Sequence, residues 1–186
     1  MRHAVVATVI FILASAALYG VSRRSLRQPN SHGFYRFLAC EFILGLVALN
    51  LFAGGGLPTQ PHRWVSWFLL IASALLPLHA VRLLKRMGKP SAAREDQALF
   101  DFEKTSALVT SGAFRYIRHP MYTSLILLAW GNFLKEFSWI GLALVLAATA
   151  LLFLTALREE QECLAYFGEA YRDYMRSTRR FVPFVL

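Results

Sequence analysis

The sequence contains only two cysteines in 186 residues. Cys40 and Cys163 stand far apart with no CxxC or Cys/His spacing, so neither a disulfide framework nor a zinc site is indicated, and no metal is expected. Acidic side chains are also few, 11 against 20 Lys and Arg, which leaves a formal charge of +9. That excess does not form a stripe on a soluble domain. The basic residues flank apolar segments, which argues against nucleic acid as a partner. Internal repeats and low-complexity segments are absent. Ionisable groups are nearly missing from the apolar runs. Only Glu41, Asn50 and His79 come close to a run's interior, whereas a small transporter would carry more.

What is present is apolar surface. The chain is 56% hydrophobic with a mean hydropathy of +0.45, too apolar for a soluble domain of this length. Roughly 20 residues cross the hydrocarbon of a bilayer. On that measure the expected fold is all-α: a single polytopic membrane domain over 1–186 with about five transmembrane helices, near 4–21, 37–57, 64–84, 120–134 and 137–157. Ala14-Ser15-Ala16 fits a cleavage site, but the first run continues past it, and Arg23-Arg24 closes it as a stop-transfer flank would. The fourth run is short enough to be either a span or a re-entrant segment. Pro77 removes one backbone bond from the third. Glu41 is expected to reach water or a nearby arginine, and His79 to be a packing histidine. After Arg158 the aromatic and apolar positions Leu164, Phe167, Tyr171 and Tyr174 recur at helical spacing, which predicts a cytoplasmic amphipathic helix of about four turns.

Charge placement orients this expectation. Of the 20 Lys and Arg, all but Arg2, Arg63 and Lys135 fall on one side of a five-span topology. By the positive-inside rule that side is the cytoplasm and the N-terminus is outside.

Two charged clusters then share the cytoplasmic face. The first is Leu108–Tyr122, LVTSGAFRYIRHPMY; the second is Arg158-Glu159-Glu160. Arg115, Arg118 and His119 are donors for a carboxylate or phosphate. Ser111-Gly112 gives a tight turn with free N–H groups. Phe114, Tyr116 and Tyr122 offer faces to a planar ring or a cation. Glu159 and Glu160 can accept from a ribose diol or an ammonium group, or stabilise a positive charge. Either cluster alone reads as interface anchors and headgroup contacts. Both together suit an amphoteric ligand with a ring, a sugar and a charged amino-acid end, a class that includes S-adenosyl-L-methionine.

At these residues the sequence resembles a known family. LVTSGAFRYIRHPMY, an apolar hairpin, and then REEQECLAYFGEAYRDYMRSTRRFVPF are similar to the isoprenylcysteine carboxyl methyltransferase and phospholipid methyltransferase group of integral membrane enzymes. The likeness runs from about Ala107 to Phe184; the first three spans match only in being apolar. It implies S-adenosylmethionine-dependent methyl transfer to a lipid-borne or small hydrophobic acceptor. It also implies cofactor contacts from Leu108, Val109 and Phe114, from His119, Pro120, Met121 and Tyr122, and from Glu159. Together with the residue-level reading, which adds Gly112, Arg118 and Glu160, this places the cofactor region at 106–122 and 158–184. Prenylcysteine enzymes carry an arginine four residues before the first Glu of the pair. Thr155 stands there in this chain, so a prenylated protein acceptor is not implied. No general base is identifiable. The rival readings are a membrane sterol-type reductase using NADPH, whose C-terminal region shares the aromatic-Gly element and a terminal Pro, and a non-catalytic membrane protein.

Overall fold

The computed structural model describes residues 2–53, 60–89 and 105–184. The Gly54-Gly55-Gly56 end of the second apolar run, and most of the charged RMGKPSAAREDQ segment, lie outside the described residues. Six α-helices lie among the described residues, in order: α1 Arg2–Ser22, α2 His32–Leu49, α3 Pro61–Met87, α4 Pro120–Phe133, α5 Trp139–Phe167 and α6 Glu169–Ser177. Among the described residues there is no strand, only one isolated parallel bridge between Ile117 and Arg179.

Local chemistry sets the helix starts. Ser31 caps α2 by accepting from the Phe34 N–H, and Ser138 caps α5 by accepting from the Gly141 N–H at 3.0 Å. Pro61 and Pro120 open α3 and α4, where a missing N–H costs nothing. α3 runs without interruption through Pro77.

Four helices, α1, α2, α3 and α5, are long and apolar enough to cross a membrane. α4, at 14 residues, is about 21 Å long against a hydrocarbon core of about 30 Å. It still reaches the far end of the bundle. There the Asn132 carbonyl accepts from Asn50 Nδ2 at 2.8 Å, and the Gly131 carbonyl from Ser66 Oγ at 2.7 Å. The missing length is therefore at the start of α4, where the chain is occupied by the loop before Pro120.

α2 packs on α5 and α3 on α4, while α4 joins the two pairs by packing on α2 and α5. Small fully buried residues (Ala39, Ala129, Ala148 and Ala156) let the backbones approach, and Ile43, Leu46, Phe133, Val145 and Leu152 fill between them. α1 packs on α2 and presents Val5, Ile12 and Leu13 outward. The carboxylate of Glu41 is half-buried beside α1. It accepts from Ser15 Oγ of α1 at 2.6 Å, a polar tie between the two helices.

Two boundaries differ from the sequence expectation for physical reasons. α2 starts at His32 because Ser31 supplies the cap, and it ends at Leu49, where the Asn50 N–H closes back on the Leu46 carbonyl. α5 does not stop at the charged cluster. Arg, Glu, Gln, Leu and Ala are good helix formers, so the helix continues to Phe167. Gly168, at φ +60°, then breaks it and leaves α6 only 9 residues long. The single four-turn amphipathic helix expected after Arg158 is thus the end of α5 plus α6.

Candidate active site

Residues 105–119 fold over the end of the bundle where α3 ends and α4 begins. Gly112 takes φ +59° and lies directly on α3; a Cβ there would come within 2.7 Å of His79 Nε2 and 2.5 Å of Leu83 Cδ1. His79 is therefore the packing residue expected, a support beneath the turn. The short turn Gly112–Arg115 buries Phe114, whose carbonyl accepts from the Tyr174 hydroxyl of α6 at 2.6 Å. Burial pushes the Tyr174 hydroxyl above its ordinary pKa and keeps it a donor. The loop is then bound to the C-terminal segment. Arg118 N–H donates to the Arg179 carbonyl at 2.7 Å, His119 N–H to the Arg180 carbonyl at 3.1 Å, and Arg179 N–H to the Tyr116 carbonyl at 3.0 Å.

His119 precedes a proline and so is held outside the helical region, at φ −120° and ψ 60°. Its ring lies between the acidic pair. Nδ1 is 3.4 Å from Glu159 Oε2, and Nε2 is 3.4 Å from Glu160 Oε1. The face of the ring stacks on Tyr122 with centroids 5.4 Å apart. Burial alone would lower the pKa of His119. The hydrogen bonds and charges of the two carboxylates outweigh it and hold the pKa above 6.5, so the ring can donate to both.

The two glutamates, adjacent on α5 and about 100° apart around it, have different tasks. Glu160 Oε1 accepts from Arg118 Nε at 2.9 Å and Arg180 Nε at 3.0 Å, and Oε2 accepts from Arg180 Nη2 at 2.8 Å. Arg118 extends the network by donating from Nη1 to the Thr178 carbonyl at 2.5 Å and the Met175 carbonyl at 3.2 Å, which caps the end of α6. Arg180 also lies over the Phe153 ring at 5.0 Å. Glu160 therefore fastens loop, α5 and C-terminal segment together. Glu159, bonded to His119 and the Tyr122 hydroxyl, faces a cavity.

That cavity encloses an empty volume of about 700 Å³, its open mouth included, and is walled mainly by apolar and aromatic side chains. Of the residues expected from sequence, Leu108, Val109, Phe114, Arg118, His119, Pro120, Met121, Tyr122 and Glu159 all line it. Gly112 and Glu160 do not; one supports the turn and the other clamps the frame. Arg115 and Tyr116 are exposed, and Tyr116 meets Phe184 edge-on. The sequence reading missed wall residues as well: Leu84, Thr105, Cys163, Phe167, Tyr171 and Tyr174. Cys163 lies one helical turn past Glu159, and Phe167, Tyr171 and Tyr174 form the aromatic stripe already visible, so a signal existed for these. Leu84 and Thr105 come from other elements and carried none.

The chemistry of this wall is specific. Aromatic faces accept a planar ring, and one carboxylate, braced by two donors with lone pairs to spare, accepts a cation or a diol. The geometry suits a ligand that is both aromatic and positively charged. No curated protein matches the chain significantly. The family description "Phospholipid methyltransferase" matches residues 64–171, from the start of α3 into α6. The match takes in α3, which the sequence motifs alone had left out. Spanning more than half of the chain and containing both charged clusters, it establishes that the chain belongs to the phospholipid methyltransferase family.

Proposed function

We propose that the protein transfers a methyl group from S-adenosyl-L-methionine to a lipid-borne or small hydrophobic acceptor at the cytoplasmic face of the membrane, with the N-terminus outside. The observation that carries this reading is Glu159, a carboxylate fixed by His119 and Tyr122 in the wall of an aromatic cavity at the basic end of the bundle. The residues present fit such a donor. Phe114, Phe167, Tyr171 and Tyr174 suit its ring, and Glu159 its cationic or diol groups. The bound donor supplies an electrophilic methyl on sulfur. The protein's part is to hold the two reactants in line and to keep bulk water from the cavity, which Tyr171, Tyr174 and the loop around Phe114 partly close. The charge asymmetry of the loops supports the cytoplasmic orientation.

The test is isothermal titration of detergent-purified protein with S-adenosylhomocysteine, with NADPH in parallel. Saturable binding of the first alone is expected. Binding of NADPH alone would mark a reductase, and binding of neither would return both clusters to anchoring roles. Glu159→Ala and His119→Ala should each weaken S-adenosylhomocysteine binding about ten- to a hundred-fold, the loss of a charged contact worth about 1.5–3 kcal/mol. Unchanged titrations for both variants would remove the cofactor from this cavity.

A further inference from the structure

A second cleft opens at the other end of the bundle, where α1 begins and α2 ends. α1 packs on α2, which leaves space between the start of α1 and α5. Ala4 and Ala7 of α1 form one wall, Ile140 and Leu144 of α5 the other, and Gly45 and Ala48 of α2 the floor. The empty volume is about 1020 Å³, its open side included. A Cβ added at Gly45 would meet Leu144 Cδ1 at 4.0 Å and, among the described residues, nothing nearer beyond its own helix, so the floor is bare. The Thr8 hydroxyl is spent on the Ala4 carbonyl at 3.0 Å. Below its mouth the cleft therefore offers hydrocarbon and nothing to hold water.

Depth and charge narrow the occupant. From His3 to Phe11 along α1 the cleft is about 12 Å deep. One leaflet contributes about 15 Å of hydrocarbon, so the cleft has the depth of a single leaflet. An acyl chain needs no more than that, whereas a spanning helix from a second copy needs a groove along the whole crossing. The mouth is cationic. His3 stands there against the Phe52 ring, with centroids 4.5 Å apart. Arg2 beside it is exposed and, among the described residues, has no carboxylate partner. Two copies packed here about an axis along the membrane normal would bring their Arg2 side chains to one depth, like charge facing like charge. A basic mouth over a hydrocarbon cleft fits an anionic headgroup on a long chain.

We propose that this cleft holds one acyl chain of an anionic phospholipid, whose phosphate accepts from Arg2 and His3. The site is separate from the cavity at Glu159 and does not rest on the methyl-transfer reading. A chain lying there touches α1, α2 and α5 together, whereas a lipid on the outer face of α1 or α3 touches a single helix. It thereby joins α1 to α5 where the protein leaves them apart. Helices in a bilayer gain their association from close packing, and the lipid supplies the packing that α1 lacks at its start.

The experiment uses the full-length protein in mild detergent, phosphatidylglycerol as probe and phosphatidylcholine as the zwitterionic control. Native mass spectrometry should show one phosphatidylglycerol held more tightly than the rest and displaced poorly by phosphatidylcholine. Gly45→Leu, which places a side chain on the bare floor, should abolish that site. Arg2→Gln should weaken it about fivefold, the effect of one basic residue at a membrane surface. In the wild-type protein, phosphatidylglycerol with a diazirine in its chain should label α1 as far as Phe11 and residues 140–144 of α5. That mapping decides the matter if a variant fails to fold. Labelling spread evenly over Trp67, Phe68 and Ile71 of α3, or a tight lipid that survives Gly45→Leu, would leave annular lipid only and overturn the site. Equal retention of phosphatidylcholine would overturn the anionic headgroup. A wild-type dimer that Gly45→Leu dissociates would give the cleft to a second copy instead. Each readout is lipid binding or assembly, so the result is independent of the S-adenosylhomocysteine titration.

Discussion

At one end of the bundle, Asn50 donates to the Asn132 carbonyl, Ser66 to the Gly131 carbonyl, and Lys135 Nζ to the Asn50 carbonyl at 3.1 Å. At the other end, Glu160 holds Arg118 and Arg180, and His119 stands between Glu159 and Glu160. Both ends solve the same problem, chain reversals whose backbone groups must be satisfied away from water. The first uses mainly neutral amides and hydroxyls. The second uses buried charge, a costlier solution that stands only while every partner is present. At the end with the cavity, the clamp of arginines and carboxylates also fixes Glu159, the carboxylate that faces the cavity. On the proposed function, breaking that end should disturb both stability and binding, and breaking the other end stability alone.

Breaking the charged end should have the largest effect. Glu160→Gln leaves Arg118 and Arg180 without their carboxylate in a place where the Glu160 side chain is only 5% exposed. A loss of about 3–5 kcal/mol is expected, read as a steep fall in thermal unfolding temperature together with loss of S-adenosylhomocysteine binding. An intact protein with intact binding would show that the clamp is dispensable.

The second effect is a pH dependence. His119 has a higher pKa folded than the ordinary 6.5, so folding favours its protonated form. Its contribution is complete below about pH 6.5 and is lost as the pH rises through the higher folded value. Unfolding midpoints measured from pH 6 to 9 should therefore fall on the alkaline side, and His119→Gln should flatten that slope. A slope unchanged by the substitution would assign it to another group.

The smallest effect should come from the neutral end. Lys135→Ala removes one donor to a carbonyl, from a partly buried position that already lowers the lysine's pKa. Stability should change by about 0.5 kcal/mol or less, and S-adenosylhomocysteine binding not at all. A binding defect there would mean that the two ends are coupled.

The charged end was also the more legible in sequence. Its loop residues lie close together between Leu108 and Tyr122, and Pro120 announces the helix that follows, so the near side of the cavity could be read from one stretch. Contacts made at long range could not. Nothing local ties Thr105 or Leu84 to Glu159, and nothing in the loop after α1 suggests that His32 meets Glu162. Residue type alone did not separate the acidic pair, although the family resemblance pointed to Glu159. The 100° between the two around α5 sends Glu159 to the cavity and Glu160 to the arginines. The charged run after Leu157 was read as the end of a span. It marks a change of solvent, and α5 crosses that boundary without breaking.

The short α4 has a further consequence. Because the loop before Pro120 takes up the first part of that crossing, the cavity lies recessed, with α5 running on about 12 Å past Glu159. For the lipid-borne acceptor proposed above, a recessed cavity means that the tail need not be drawn far out of the oil for the headgroup to arrive. Each methylene left in place saves about 0.8 kcal/mol of extraction work. On that reading the recess lowers the barrier to catching a substrate that never dissolves.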